Sequence, residues 1–370
     1  MVAIYTAMFP QARTLNGKGI FHEQSADTTI TGSAADFLQP TWQTSLTLLQ
    51  PSFLRQSKNS LALSAFAQRR SVPSVVIDRG YGGDVALVRS LGPRAPVSLT
   101  YRFEVTRVEA NGPYFCVNFG VCDTTTVGAL LGHQRLSPLT LQAQVDRSDV
   151  PLNPSRGYTA RAELEYASRL TVSDYAYSRA YGEATYYRRL GRRRSVLATH
   201  FRIGFVRPTT GLTGDAVLHP RKRFYAGGSQ SVRGYGENQL GPRILTLPSE
   251  FLINATDVNG NPCDVTSEAI RICDPTTARD SAGDKALVGD DKFTPRPLGG
   301  TSLIEASVEY RFPLPFLSNL QAALFVDGAA VGERVLNPLN GVSTLADLVR
   351  GTGAITPGFG VRYLSPIGPI

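Results

Sequence analysis

"VSLTYRFEVT" (residues 97–106) alternates without a break. Val97, Leu99, Tyr101, Phe103 and Val105 fall on one face, and Ser98, Thr100, Arg102, Glu104 and Thr106 on the other. Successive side chains of an extended strand point to opposite sides, so this pattern predicts a strand with one apolar and one polar face. The pattern recurs in "LTLQAQVD" (139–146), "YTARAELEYA" (158–167) and "IEASVEYRF" (304–312). These runs are longer than the ~5–6 residues usual for strands of soluble proteins. They approach the ~9–11 residues that a tilted strand needs to cross a bilayer.

Weaker alternation near 42–50, 59–70, 82–90, 176–188, 195–206, 320–328 and 356–364 brings the strands to about eleven. Residues 1–40 have no clear pattern and leave room for one or two more early barrel strands, giving eleven to thirteen in all. Turns such as "LGPRAP", "PLNPSRG" and "RLGRRRS" are rich in residues that break regular structure. Short turns alternate with long excursions at 107–138 and 207–300. The polar faces carry charges, among them Glu163, Glu165, Glu305, Glu309 and Arg311, while the apolar faces end in Tyr or Phe. A soluble sandwich would also alternate. Strand length, charged inner faces, aromatic ends and uneven loops together predict an all-β chain folded as a transmembrane antiparallel β-barrel over residues 41–370, in the bacterial outer membrane.

Composition is consistent with this reading. No run of about 18 apolar residues is present, so no transmembrane helix is expected. The formal net charge is +8, from 38 basic and 30 acidic residues. The basic residues are spread over strand ends rather than gathered on one helix. Anionic lipid headgroups or a wet lumen are therefore the expected partners, and nucleic acid is not. Cys116, Cys122, Cys263 and Cys273 form two close pairs in irregular segments, without the spacing of a zinc site. Two loop disulfides in an oxidising compartment are the simplest account, with four unpaired thiols as the alternative.

One stretch fits neither strand nor helix: "YAGGSQSVRGYGENQLGPR" (225–243). Glycine costs about 1 kcal/mol in a helix interior and weakens strand ladders. In its wider form, "RFYAGGSQSVRGYGENQLGPR", this stretch resembles the [F/Y]xxGGxxxxRG[F/Y] loop of the BamA/TamA-type barrels, the bacterial surface antigen superfamily. Three other stretches match that family in order. "DRSDVPLNPSRGYTARAELEYA" (146–167) resembles its Asp-rich turn, carried here by Asp146, Asp149, Pro154, Arg156 and Gly157. "EASVEYRFPL" and "ALFVDGAAVG" resemble the two strands after the loop, and "GFGVRYLSPIGPI" the segment near the family's C-terminus.

The resemblance implies a barrel of about sixteen strands whose glycine loop folds into the lumen, with Gly227, Gly228, Arg233, Gly234 and Tyr235 as its motif. A loop lying against the wall needs glycine for close backbone approach. Alternation independently puts Glu309 and Asp327 on the inward face, and the resemblance implies that Arg233 bridges these two carboxylates. It also implies a protein that inserts, assembles or translocates other proteins at the outer membrane without ATP, its clients being unfolded β-barrel proteins. Accessory lipoproteins or an inner-membrane partner are further implied partners. A two-partner secretion transporter, a porin or a barrel enzyme are the alternatives.

No enzymatic activity, cofactor or metal is expected. His22, His133, His200 and His219 are scattered, and neither HExxH nor GxSxG occurs. "GGSQSVRG" lacks the Lys-Ser/Thr of a phosphate loop. "DRSDVPLN" lacks the glutamate of a calcium loop and reads as an Asx turn. A barrel hydrolase would use His200, which shares an inward face with Arg202. Neither a leader peptide nor the family's POTRA pattern precedes the barrel, and "SPIGPI" stops where two further family strands would follow. The expectation is a barrel portion whose native gene extends in both directions.

Overall fold

The computed structural model describes residues 2–9, 41–55, 58–72, 76–108, 132–151, 153–191, 195–209, 217–246, 256, 259–260, 279, 294–314, 320–332, 353–365 and 368–369. The four cysteines, His22 and the greater part of both long excursions lie outside the described residues.

The strands are β1 (Val2–Phe9), β2 (Thr41–Pro51), β3 (Asn59–Val72), β4 (Val76–Ser90), β5 (Pro96–Val108), β6 (Gln134–Leu136), β7 (Leu139–Asp146) and β8 (Gly157–Ala167). They continue with β9 (Ala176–Leu190), β10 (Ser195–Thr209), β11 (Arg243–Thr246), β12 (Thr294–Pro297), β13 (Ser302–Pro313), β14 (Leu320–Gly332), β15 (Gly353–Ser365) and β16 (Gly368–Pro369). All but β11 and β12 belong to one 14-stranded sheet, in which strands follow chain order except that β10 pairs β13 across the second long excursion. Its order is β1-β2-β3-β4-β5-β7-β8-β9-β10-β13-β14-β15-β16, with β6 beside β5. Every ladder is antiparallel, as in β9 against β10, where Ser195 faces Leu190 and Thr209 faces Ala176. Helical structure among the described residues is confined to 3-10 turns.

All eleven strands expected from alternation are present, and β1 adds one before residue 40. Several strands run beyond the expected bounds, and the excursions are not wholly irregular. β4 starts at Val76 rather than near 82, and the excursions contain β6 and the β11–β12 ribbon. In β4, Gly80, Gly82 and Gly83 interrupt the alternation, which hides its first half. These glycines are a packing device: a Cβ on Gly82 would stand 2.0 Å from the Phe103 carbonyl oxygen.

The outward face is apolar and bare. Leu46, Leu87, Leu141, Leu164, Val308 and Val326 are all exposed. In water such a belt would be an aggregation surface; in a bilayer it is the lipid contact. The inward face carries Gln68, Asp78, Glu104, Glu165, Glu305 and Asp327, all buried. Polar groups so deeply buried need partners, and the glycine loop supplies them. The buried apolar cluster is not midway along the barrel. It sits at the long-loop end, where Val76, Val108, Tyr177 and Val206 of the wall meet Val232 and Leu240 of the loop.

Candidate functional site in the barrel lumen

The loop between β10 and β13 turns inward and meets the wall at several points, two of them through arginines. Its first contact is a 3-10 turn, Pro220–Lys222, capped by the Nδ1 of His219, which accepts from the Arg221 amide at 3.2 Å. The Arg221 guanidinium lies 3.2 Å from Asp78 Oδ2 on β4 and 3.0 Å from Glu104 Oε1 on β5. Gln68 Nε2 on β3 donates to the same Glu104 oxygen at 2.8 Å. Lys222 Nζ reaches Glu165 on β8 at 2.7 Å, and the Tyr177 hydroxyl donates to that carboxylate. His219 is fully buried, edge-on to Tyr175 at 5.3 Å between ring centroids. Burial, with Arg221, Lys222 and Arg223 alongside, pushes its pKa well below the ordinary histidine range, so it stays neutral.

Phe224 comes next and packs face-on against Tyr181 at 6.4 Å. It lies over Gly204 of β10, where a Cβ would stand 2.3 Å from the ring. The chain then enters the glycine stretch. Gly227 has φ +106, and a Cβ there would stand 2.5 Å from the Gly236 carbonyl oxygen, so only glycine fits. An isolated bridge between Ala226 and Leu240 closes the loop at its base. Inside it, the Ser231 hydroxyl accepts from the Gly227 amide at 3.1 Å and donates to Glu305 at 2.6 Å.

The second arginine contact is made by Arg233. Its Nε and one terminal nitrogen grip both oxygens of Asp327 on β14, at 2.7 and 2.8 Å, in a fork. The Arg233 amide also donates to Asp327, at 3.1 Å. The other terminal nitrogen donates to Glu309 on β13 at 2.5 Å. A guanidinium is suited to this double grip because its five donors lie in one plane. Phe325 lies 3.4 Å below that plane, and Gly358 of β15 leaves the space its ring occupies. Thr356 of β15 donates to the Arg233 carbonyl at 2.8 Å. Glu309 is shared with Arg311, and Ser307 adds a 2.6 Å bond to Asp327. Gly234, with φ +99, lets the chain leave, and Tyr235 packs on the apolar cluster. Gly228 has φ +97, and its amide donates to the Tyr235 carbonyl at 3.1 Å.

Arg221 and Arg233 are twelve positions apart, yet one touches β4 and β5 and the other β13, β14 and β15. The sheet therefore curls so that its two halves face each other, with the loop spanning the interior. The Arg221, Lys222 and His219 contact was not foreseen from the sequence. Its signal was "HPRKRF", a cluster of bases directly before the glycine motif.

The Asp-rich turn lies at the opposite, short-turn end. Asp149 accepts from the amides of Val150, Ser155 and Arg156 at 2.9, 2.8 and 3.1 Å, and from the Ser155 hydroxyl at 2.6 Å. Partial loss of water opposes its ionisation, but these bonds win and hold the carboxyl well below its usual range. Asp146 accepts from Ser148 and from Arg94. Gly157 has φ +99 and leaves no room for a Cβ against the Arg147 carbonyl, while Pro154 sits half-buried within the turn. His200 faces carboxylates on both sides, with Glu183 at 3.1 Å and Glu305 at 3.9 Å.

Residues 24–370 match the Omp85 superfamily domain. The chain belongs to the Omp85 superfamily. Among solved structures it is similar to BamA from Haemophilus ducreyi lacking POTRA domains 1-3, at 18% identity and a TM-score of 0.59, over 89% of this chain. The chain spans 57% of the length of that protein. It also matches CdiB from Acinetobacter baumannii, at 14% identity and a TM-score of 0.40, over 88% of this chain and 45% of that one. The fold is thus an Omp85 barrel of the bacterial outer membrane, with its exposed apolar belt in the bilayer.

Proposed function

We propose that this Omp85 barrel assembles other β-barrel proteins into the outer membrane, without ATP and without a catalytic residue. The observation that carries this reading is the loop fastened across the lumen by Arg221 on one wall and Arg233 on the other. A chain passing through the lumen would have to break both sets of ion pairs. A client strand adding to a sheet edge breaks neither, because main-chain pairing at an edge needs only unpaired backbone groups. The loop then keeps the barrel interior filled while the work is done at the edge. Unfolded β-barrel proteins are the proposed clients, and accessory lipoproteins or an inner-membrane partner would deliver them. His200, held between two carboxylates, is assigned no chemistry.

Depletion of the full-length gene product in its native host tests this reading. Assembly predicts a parallel fall of many outer-membrane β-barrel proteins in purified outer membranes. Loss of one secreted protein with unchanged outer-membrane barrels would instead identify a secretion transporter and overturn the proposal.

A further inference from the structure

The short-turn end of the sheet carries arginines that the lumen network does not use. Arg147, Arg156 and Arg188 are exposed, and none has a carboxylate partner among the described residues. They lie close together. The Arg147 amide donates to the Tyr158 carbonyl at 2.8 Å, and the Asp149 amide to the Arg156 carbonyl at 3.1 Å. On the next strand pair Tyr158 faces Tyr186 and Gly157 faces Tyr187, so Arg156 and Arg188 each adjoin that last pair of the ladder. The nearby acids offset this cluster only in part: Asp146 is paired with Arg94, and the single charge of Asp149, held by Ser155 and backbone amides, leaves the three arginines in excess.

The level of the cluster relative to the membrane is marked by tyrosines. Tyr158, Tyr186, Tyr310 and Tyr363 are exposed toward this end, with Tyr158 at 45% and Tyr186 at 52%. Leu197 faces both Arg188 and Tyr310, so Arg188 and Tyr310 share one cross-strand row. Exposed aromatics of a membrane barrel sit at headgroup depth, which puts the adjacent arginines among the lipid phosphates. Short turns of outer-membrane barrels face the periplasm, so the leaflet is the inner, phospholipid one.

We propose that Arg147, Arg156 and Arg188 form a binding site for the phosphodiester headgroup of an anionic phospholipid on the outer wall of β7–β9. Three guanidinium groups and two tyrosine hydroxyls supply positive charge and hydrogen-bond donors to the anionic phosphodiester. The site anchors the barrel on the side of the Asp-rich turn. This inference rests on membrane orientation and not on the proposed assembly role.

The test is native mass spectrometry of the full-length, detergent-purified protein titrated with phosphatidylglycerol or with phosphatidylcholine. An arginine near an anionic lipid surface contributes about a fivefold factor in affinity. The triple variant Arg147→Gln, Arg156→Gln, Arg188→Gln is expected to lose phosphatidylglycerol binding by about a hundredfold. The pair Arg107→Gln, Arg207→Gln at the opposite end is expected to keep it. Folding is read separately from the heat-dependent gel shift of the barrel. Should the triple glutamine variant not fold, the triple lysine variant must still bind and each single glutamine variant must bind about fivefold more weakly. Equal retention of the two lipids by the wild type, or unchanged phosphatidylglycerol binding in the variants, would overturn the proposal. So would recovery of an acidic protein at this surface with lipid binding unaffected.

Discussion

The lumen loop meets the wall through two arginines of similar chemistry and different depth. Arg221 bridges Asp78 and Glu104 on adjacent strands β4 and β5, and Arg233 bridges Asp327 and Glu309 on adjacent strands β14 and β13. The Arg221 side chain is 9% exposed and its partners 0% and 3%. The Arg233 side chain is 29% exposed and Glu309 12%, while Asp327 is as buried as the Arg221 partners, at 1%. A buried ion pair adds little net stability over an apolar replacement, but removing one partner strands the other charge away from water. The Arg221 contact, buried on both sides, is therefore the harder to break. The same contrast appears in the surroundings. Arg221 lies in a packed shell with neutral His219, Tyr175 and Tyr177, while the Arg233 contact has hydroxyls and further arginines around it.

The contrast is broken most severely by Arg221→Ala. It leaves Asp78 and Glu104 buried without their cation and should destabilise the barrel by about 3–5 kcal/mol, seen as a lower urea midpoint in the heat-dependent gel shift. Arg233→Ala should cost less, about 2 kcal/mol, because Glu309 lies nearer water and keeps Arg311 as a partner, although Asp327 is left buried without its cation. Equal losses in the two variants would show that depth does not separate the contacts. Acidification sharpens the comparison further. The folded-state pKa of His219 is lowered, so its contribution is fully present above the ordinary histidine value of about 6.5 and is lost as pH falls below it. Stability should fall by at most about 1.4 kcal/mol per pH unit in that window. The loss should vanish in His219→Gln. The smallest effect is expected at the short-turn end. Asp149→Ala removes an acceptor from three amides in a solvent-exposed turn and should cost about 1 kcal/mol. The pKa of Asp149 is also lowered, so this contribution is present above the usual carboxylate range and disappears as pH falls below about 4.

The two contacts were not equally legible in the sequence. Strands with unbroken alternation, such as β5, β8 and β13, show both their extent and their faces in the amino acids. That parity is what puts Glu309 and Asp327 on the inward side. The glycine motif then marks Arg233 as a residue in need of carboxylates. Arg221 had no such guide. Its partners lie on strands far back in the chain, Glu104 being 117 positions away, and nothing local says which wall the loop approaches first. Glycines hid the start of β4 for a related reason. Gly80 and Gly82 are required by contacts with β5, a tertiary demand that overrides strand preference. The ribbon β11–β12 and strand β6 are three or four residues long, too short for a period to register.

The proposed assembly role rests on the loop that Arg221 and Arg233 fasten across the lumen. The direct measurement is the folding rate of a urea-denatured β-barrel client in vesicles containing the full-length protein, its Arg233→Ala variant or its Arg221→Ala variant. The proposed assembly role predicts that Arg233→Ala remains a folded barrel and loses the acceleration of client folding, whereas Arg221→Ala lowers the urea midpoint of the barrel as well. A folded Arg233→Ala protein that accelerates client folding as the wild type does would contradict it.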